Sequence, residues 1–262
     1  MSQLAFEGDA RLRTAPCASA RWLTQVQLWR PGDPDQITTA DVETAVLLLS
    51  GTFDLIAGAT AWQARGARQT PFQGRPMAVF LPKNTTFRTQ RGQGEILLIA
   101  ARQPQVPPAV QGRAVFGLQP LLPLAGSGKA FDPNSGEWLP AETFPTSAES
   151  LPPRRMVQLQ VSGCVVERVF AKDYKAATLS IDEVVVPAGQ SLAVAAIPDR
   201  PSAQELLVFV RSEGGATVVH SGQRSAVRGD AAFCVATTGE PDATIAADGG
   251  PAYVVLAYAG KV

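Results

Sequence analysis

Apolar residues in this chain gather in short runs and do not recur at helical intervals. The runs are Ala45–Leu49, Met77–Leu81, Ile96–Ala100, Val157–Val161, Asp182–Val186, Leu206–Val210, Thr217–Val219, Ala231–Ala236 and Tyr253–Tyr258. Their length, their β-branched content and the Gly, Pro or Asn residues around them predict strands, at a spacing that suits a sandwich or barrel. No stretch sustains an apolar face over the several turns that a stable helix needs. Only Ala10–Pro16 and the region near Asp132–Glu149 are expected to carry a turn or two of helix.

The order of these runs repeats. The first half presents Gln25–Gly32, Glu43–Gly51, Gly74–Pro82 and Gly94–Ala101; the second presents Ile181–Gly189, Glu205–Gly214, Gly229–Ala236 and Ala252–Ala259. Each series reads as a strand with a Pro/Gly turn, an apolar strand opened by Glu and closed by Gly, a strand opened by Gly, and a final apolar strand. A period this long is that of a duplicated domain and not of a solenoid. Between the copies, residues 103–153 hold 10 of the 21 prolines. Proline lacks the donor that a sheet ladder needs, so this stretch predicts a long surface connection or short strands. The expected organisation is 1–103, an N-terminal domain; 104–156, a Pro-rich connection; and 157–262, a C-terminal domain.

Composition narrows the function. The 262 residues carry 23 Lys+Arg and 23 Asp+Glu, a balance that argues against a polyanion binder and so against nucleic acid. The charge is uneven: residues 1–130 hold 13 basic and 8 acidic side chains, and 131–262 hold 10 and 15, so the halves can attract each other. The N-terminal segment lacks the apolar stretch of a signal peptide, and no window is apolar enough to span a bilayer, so a cytoplasmic location without membrane contact is expected. Three cysteines (Cys17, Cys164, Cys234) at unrelated spacings are expected as buried, reduced thiols. With one histidine, His220, chemistry that requires clustered imidazoles is excluded.

Strand, Pro/Gly turn, Glu-headed strand and Gly-Asp before a last strand resemble the layout of a cupin, so two copies imply an all-β bicupin of two double-stranded β-helix (jelly-roll) domains. Glu43–Leu55, Gly66–Pro76 and Ala78–Pro82, with Gly229-Asp230 and Gly249–Gly260 near the C-terminal end, resemble the 5-deoxy-glucuronate isomerase family of inositol catabolism and its relative, 5-keto-4-deoxyuronate isomerase. That resemblance implies a divalent metal held in the second domain by a His-x-His pair, a Glu and a later His. Aligned on Gly189, those positions are Ile197-Pro198-Asp199, Glu205 and the neighbourhood of Glu240. Ile and Pro supply no ligand atom, so no metal or other cofactor is expected. An oxygen-only set of Asp199, Glu205 and Glu240 would suit a hard cation if one bound.

The remaining chemistry is basic and acid-recognising. Arginine numbers 18 against 5 lysines, and guanidinium forks match carboxylates. Arg65, Arg68, Arg75 and Arg88 in the first half, with Arg200 and Arg211 in the second, are the candidates. Together with Asp199, Glu205, His220 and Glu240, Arg200 and Arg211 form the expected ligand-binding set; no catalytic residue is assigned. His220, before Ser221-Gly222, reads as a turn residue or a general base. Two readings stand: a degenerate relative of sugar-acid isomerases that binds a small carboxylated or sugar-derived ligand, or an active aldose–ketose isomerase with a rearranged site. Sheet edges also make a homodimer an expectation.

Overall fold

In the computed structural model the described residues are 2–4, 12–17, 20–30, 35–74, 76–102, 129–132, 137–140, 149–151, 157–170, 178–236 and 242–261. They build two antiparallel sheets of eight and nine strands, with a separate hairpin of Lys129–Asp132 and Glu137–Pro140. In the first sheet the order is Glu149–Leu151, Ala78–Leu81, Val42–Ala57, Thr86–Arg102, Leu23–Trp29 and Leu12–Pro16. The second runs Ser2–Leu4, Gln223–Ala236, Ala203–His220, Ala252–Lys261, Ser180–Val186, Cys164–Phe170 and Val157–Val161. The first six strands of the two orders correspond, as the repeat requires, and Val157–Val161 extends the second sheet beyond them. The outermost strand in each comes from the other half of the sequence: Ser2–Leu4 completes the second sheet and Glu149–Leu151 the first.

Long strands fold each sheet over on itself. Val42–Ala57 and Thr86–Arg102 slip register between Leu48 and Ser50, next to Gly51 and Gly94. Gly51 has φ +87°, and a Cβ there would lie 1.8 Å from the Gln93 carbonyl oxygen, so only glycine permits this crossing. In the second sheet the equivalent irregularity lies between Ser212 and Ala216.

The apolar runs are continuous because both faces of these strands are covered. On Ala203–His220, Leu206, Val208 and Val210 point into the second jelly roll beside Val184, Val254 and Leu256. Leu207 and Phe209 point the other way, into a core shared with Ala45, Leu47, Leu97 and Ile99 of the first half. The first jelly roll has its own filling of Trp29, Val46, Leu48, Phe53 and Phe87. Cys17, Cys164 and Cys234 are buried free thiols.

Two helix expectations are corrected. Leu12–Pro16 is a strand paired with Leu23–Trp29, and Pro16 sits at its end, where an edge tolerates a missing donor. Around Asp132–Glu149 the described residues are strand as well, drawn into the hairpin and onto Ala78–Leu81. Among the described residues, no helix is long and apolar enough to cross a membrane.

Candidate functional site

The repeated glutamates lie on the shared face, where they clasp the two halves together. Glu205 is 3% exposed, and its carboxylate accepts hydrogen bonds from the backbone N–H groups of Arg21 (2.5 Å), Trp22 (2.9 Å) and Leu23 (2.8 Å). Glu43 is its counterpart, accepting from the N–H groups of Thr178 and Leu179, both at 2.7 Å. Arg68 crosses the same interface to meet Glu183 with both terminal nitrogens (2.8 and 3.0 Å), while its Nε donates to the Leu48 carbonyl and its guanidinium lies over the Tyr253 ring. Phe72 packs edge-on against Tyr253. The segment Gly66–Pro76 therefore carries side chains that dock the first half on the second.

Arg211 belongs to the same interface. It pairs with Asp230 on the neighbouring strand (2.6 and 2.9 Å) and with Glu95 of the first half, which Arg30 also contacts. Burial works against ionisation of Glu95, but Arg211 and Arg30 outweigh it and hold its carboxyl below the ordinary range. Glu205 and Arg211 thus face away from the jelly-roll interior, and their polar atoms are engaged across the interface. The structure places Glu205 and Arg211, both expected in the ligand-binding set, at the junction of the two halves.

The remaining expected site residues are dispersed. His220 ends a hairpin, where its Nδ1 lies 2.5 Å from the Asp242 carbonyl and its Nε2 lies 3.2 Å from Ser221 Oγ. A carbonyl only accepts, so Nδ1 carries the proton and His220 serves as a turn-fastening residue. Asp242 in turn accepts from the N–H of Ala195. Asp199 is exposed on a turn with φ +48°. Glu240 and Arg75 lie outside the described residues. Arg65 and Arg88 are exposed.

A different group meets at the end of the second jelly roll. Arg168 and Asp182 stand opposite each other on adjacent strands, with Nε 3.2 Å from Oδ1. A terminal nitrogen of Arg168 donates to the Pro198 carbonyl at 2.9 Å, so the pair borders the segment where the resemblance places metal ligands. Ser180 and Tyr258 form the next cross-strand pair on the same face. Asp182 Oδ2, Ser180 Oγ and Tyr258 Oη are all buried; Ser180 Oγ has no hydrogen-bond partner, and the Tyr258 hydroxyl bears on the Asp182 carboxyl. Burial pushes the Asp182 carboxyl up to about 6, against the pull of Arg168 and the Tyr258 hydroxyl. Tyr258 is itself held well above its ordinary value by burial and by Asp182, while Arg200 and Arg168 draw it back. Among the described expected ligand-binding residues, half-buried Arg200 is the one whose charge bears on this group, at Tyr258.

The signal for this group was weak in the sequence. Asp182 sits at the head of an apolar run and Tyr258 at the end of another, and only strand register brings them together. The residues at the implied ligand positions do not fit a metal. Ile197 is 3% exposed and packs with Leu192 and Val194 in the jelly-roll core, Pro198 has no side-chain donor atom, and Glu205 points to the other face. Among the described residues, no cluster of three or more His, Cys, Asp or Glu side chains is placed to hold a metal ion.

Residues 18–114 match the family model described as KduI/IolB family. None of the curated proteins matches the chain in sequence. An IolB-like protein from Salmonella typhimurium LT2 superposes with a TM-score of 0.67 at 14% identity, covering 94% of this chain and 86% of that one. An oxalate decarboxylase from Bacillus subtilis does so with a TM-score of 0.58 at 11% identity, covering 99% and 76%. AerE from Microcystis aeruginosa gives 0.55 at 9%, covering 98% and 96%. The fold is that of a bicupin, two jelly rolls joined face to face.

Proposed function

We propose that this chain, a bicupin whose first half carries the KduI/IolB pattern, binds a small carboxylated sugar derivative without a metal. The site is the end of the second jelly roll formed by Arg168, Ser180, Asp182, Arg200 and Tyr258. The observation that carries this reading is the gathering of the buried Asp182, Ser180 and Tyr258 oxygens, Ser180 Oγ among them without a partner, beside the Arg168 guanidinium and within the electrostatic reach of Arg200. Buried polar atoms are nearly always satisfied, and exceptions favour places where something else completes the bonding. A uronate offers both a carboxylate for the arginines and hydroxyls for Ser180 and Tyr258.

Isothermal titration with D-glucuronate and D-galacturonate tests this. Saturable binding in wild type, weakened about tenfold by Arg200→Ala and by Tyr258→Phe, supports it. The absence of saturable binding up to tens of millimolar overturns it.

Turnover is the second reading, and the position of Asp182 favours it. A carboxyl that exchanges its proton near pH 6 is suited to moving a proton between adjacent carbons of a hydroxycarbonyl. Asp182-dependent exchange of the uronate C2 hydrogen for deuterium in heavy water distinguishes turnover from binding alone.

A further inference from the structure

Resting on that ligand reading, we propose that the carboxylate ligand binds together with one proton, shared between its carboxylate and Oδ2 of Asp182. The two oxygens of Asp182 are not equivalent. Oδ1 is engaged by Arg168 Nε at 3.2 Å, whereas Oδ2 is buried and receives no guanidinium, the Tyr258 hydroxyl being the polar neighbour that bears on the carboxyl. A proton on Asp182 therefore belongs on Oδ2, where it becomes a donor.

The groups around Asp182 enforce this. Arg168 faces it from Cys164–Phe170, and Tyr258 faces it from Ala252–Lys261, with Arg200 bearing on Tyr258 from the turn after Pro198. Ser180 is two residues along its own strand, and Leu206 and Val208 of Ala203–His220 supply only apolar surface. Glu183 and Glu205 belong to the opposite face and are paired there. An ionised Asp182 uses the charge of Arg168, so a second carboxylate at Oδ2 would stand against a like charge in a buried setting. Two carboxylates so placed share one proton. The Tyr258 hydroxyl already bears on the Asp182 carboxyl, and the unmet donor of Ser180 is available to the same pair of oxygens. Burial already shifts Asp182 towards the protonated form, which lowers the cost of the arrangement.

The consequence is a proton-linked affinity. Titration of D-glucuronate calorimetrically at pH 7.5, in buffers of different ionisation enthalpy, is expected to show uptake of close to one proton per ligand bound. Affinity should fall by up to about tenfold per pH unit above the Asp182 midpoint. Asp182→Asn, which is isosteric and carries a permanent donor, should bind without proton uptake and with a flat pH profile. Binding with no proton uptake by wild type overturns this proposal and leaves the ligand reading intact; the absence of any uronate binding overturns both.

Discussion

Oε2 of Glu205 lies 2.8 Å from the backbone nitrogen of Leu23, across the junction of the two jelly rolls. With the equivalent bond from Leu179 to Glu43, it makes the interface a reciprocal one, in which each half closes the strand entry of the other. A carboxylate in this position satisfies N–H groups that would otherwise be buried without acceptors, and each orphaned donor costs on the order of 1–3 kcal/mol.

Removing that carboxylate should therefore cost far more than an ordinary surface change. Glu205→Ala is expected to lower unfolding stability by roughly 3 kcal/mol or more, because three N–H groups lose their acceptor together. Glu213→Ala, on an exposed residue, should change it by less than about 0.5 kcal/mol. Urea unfolding of the two variants beside wild type makes the comparison.

The Arg68–Glu183 pair separates breaking an ion pair from replacing one. Both side chains are 4% exposed, so Arg68→Met leaves Glu183 buried and unpaired, at a cost of about 3–5 kcal/mol. Arg68→Met with Glu183→Leu removes the charge as well, and should recover most of the loss. A double-mutant cycle by chemical denaturation reads the difference.

The sign of the pH dependence at Asp182 is opposite to that of the more common paired carboxylate. Its folded value, about 6, lies above the ordinary 3.8, so its contribution is fully present below 3.8 and lost as pH rises through 6. The loss above pH 6 amounts to about 3 kcal/mol. Glu95, held low by Arg211 and Arg30, works the other way, losing its contribution as pH falls. Subtracting Asp182→Asn from wild type across pH 3 to 8 isolates the first effect, and the difference should change between pH 4 and 6.

With Ile197 in the core and Glu205 facing the interface, chelation should leave the molecule undisturbed. Incubation with excess EDTA is expected to leave Tm unchanged, and elemental analysis of tag-free protein to find zinc, iron and manganese far below one per chain. A stoichiometric transition metal in that analysis would contradict the geometry.

The fold is largely legible in the sequence, and for a physical reason. Strands buried on both faces must read as continuous apolar runs, and a duplicated domain must repeat its turns, so Leu206–Val210 and Ala45–Leu49 disclosed both element and equivalence. The site is much less so. A glutamate heading an apolar strand looks the same whether it turns into the jelly roll or out to a neighbour. That choice depends on which side of the pleat residue 205 occupies, which only the packing of Leu206 and Leu207 reveals. Arg168 and Asp182 are 14 residues apart and meet through strand register.

The exchanged edge strands also bear on how the chain is made. A ribosome releases the first half long before Glu149–Leu151, which finishes its sheet, and Thr178 and Leu179, which engage Glu43. Until those residues emerge, the nascent first half holds a bare sheet edge at Ala78–Leu81, a Glu43 carboxylate still lacking the N–H groups of Thr178 and Leu179, and the exposed apolar surface of Ala45, Leu47, Leu97 and Ile99. Synthesis thus passes through a long interval in which part of the protein is built but cannot close, and that interval is when a chaperone or a neighbouring nascent chain would find it.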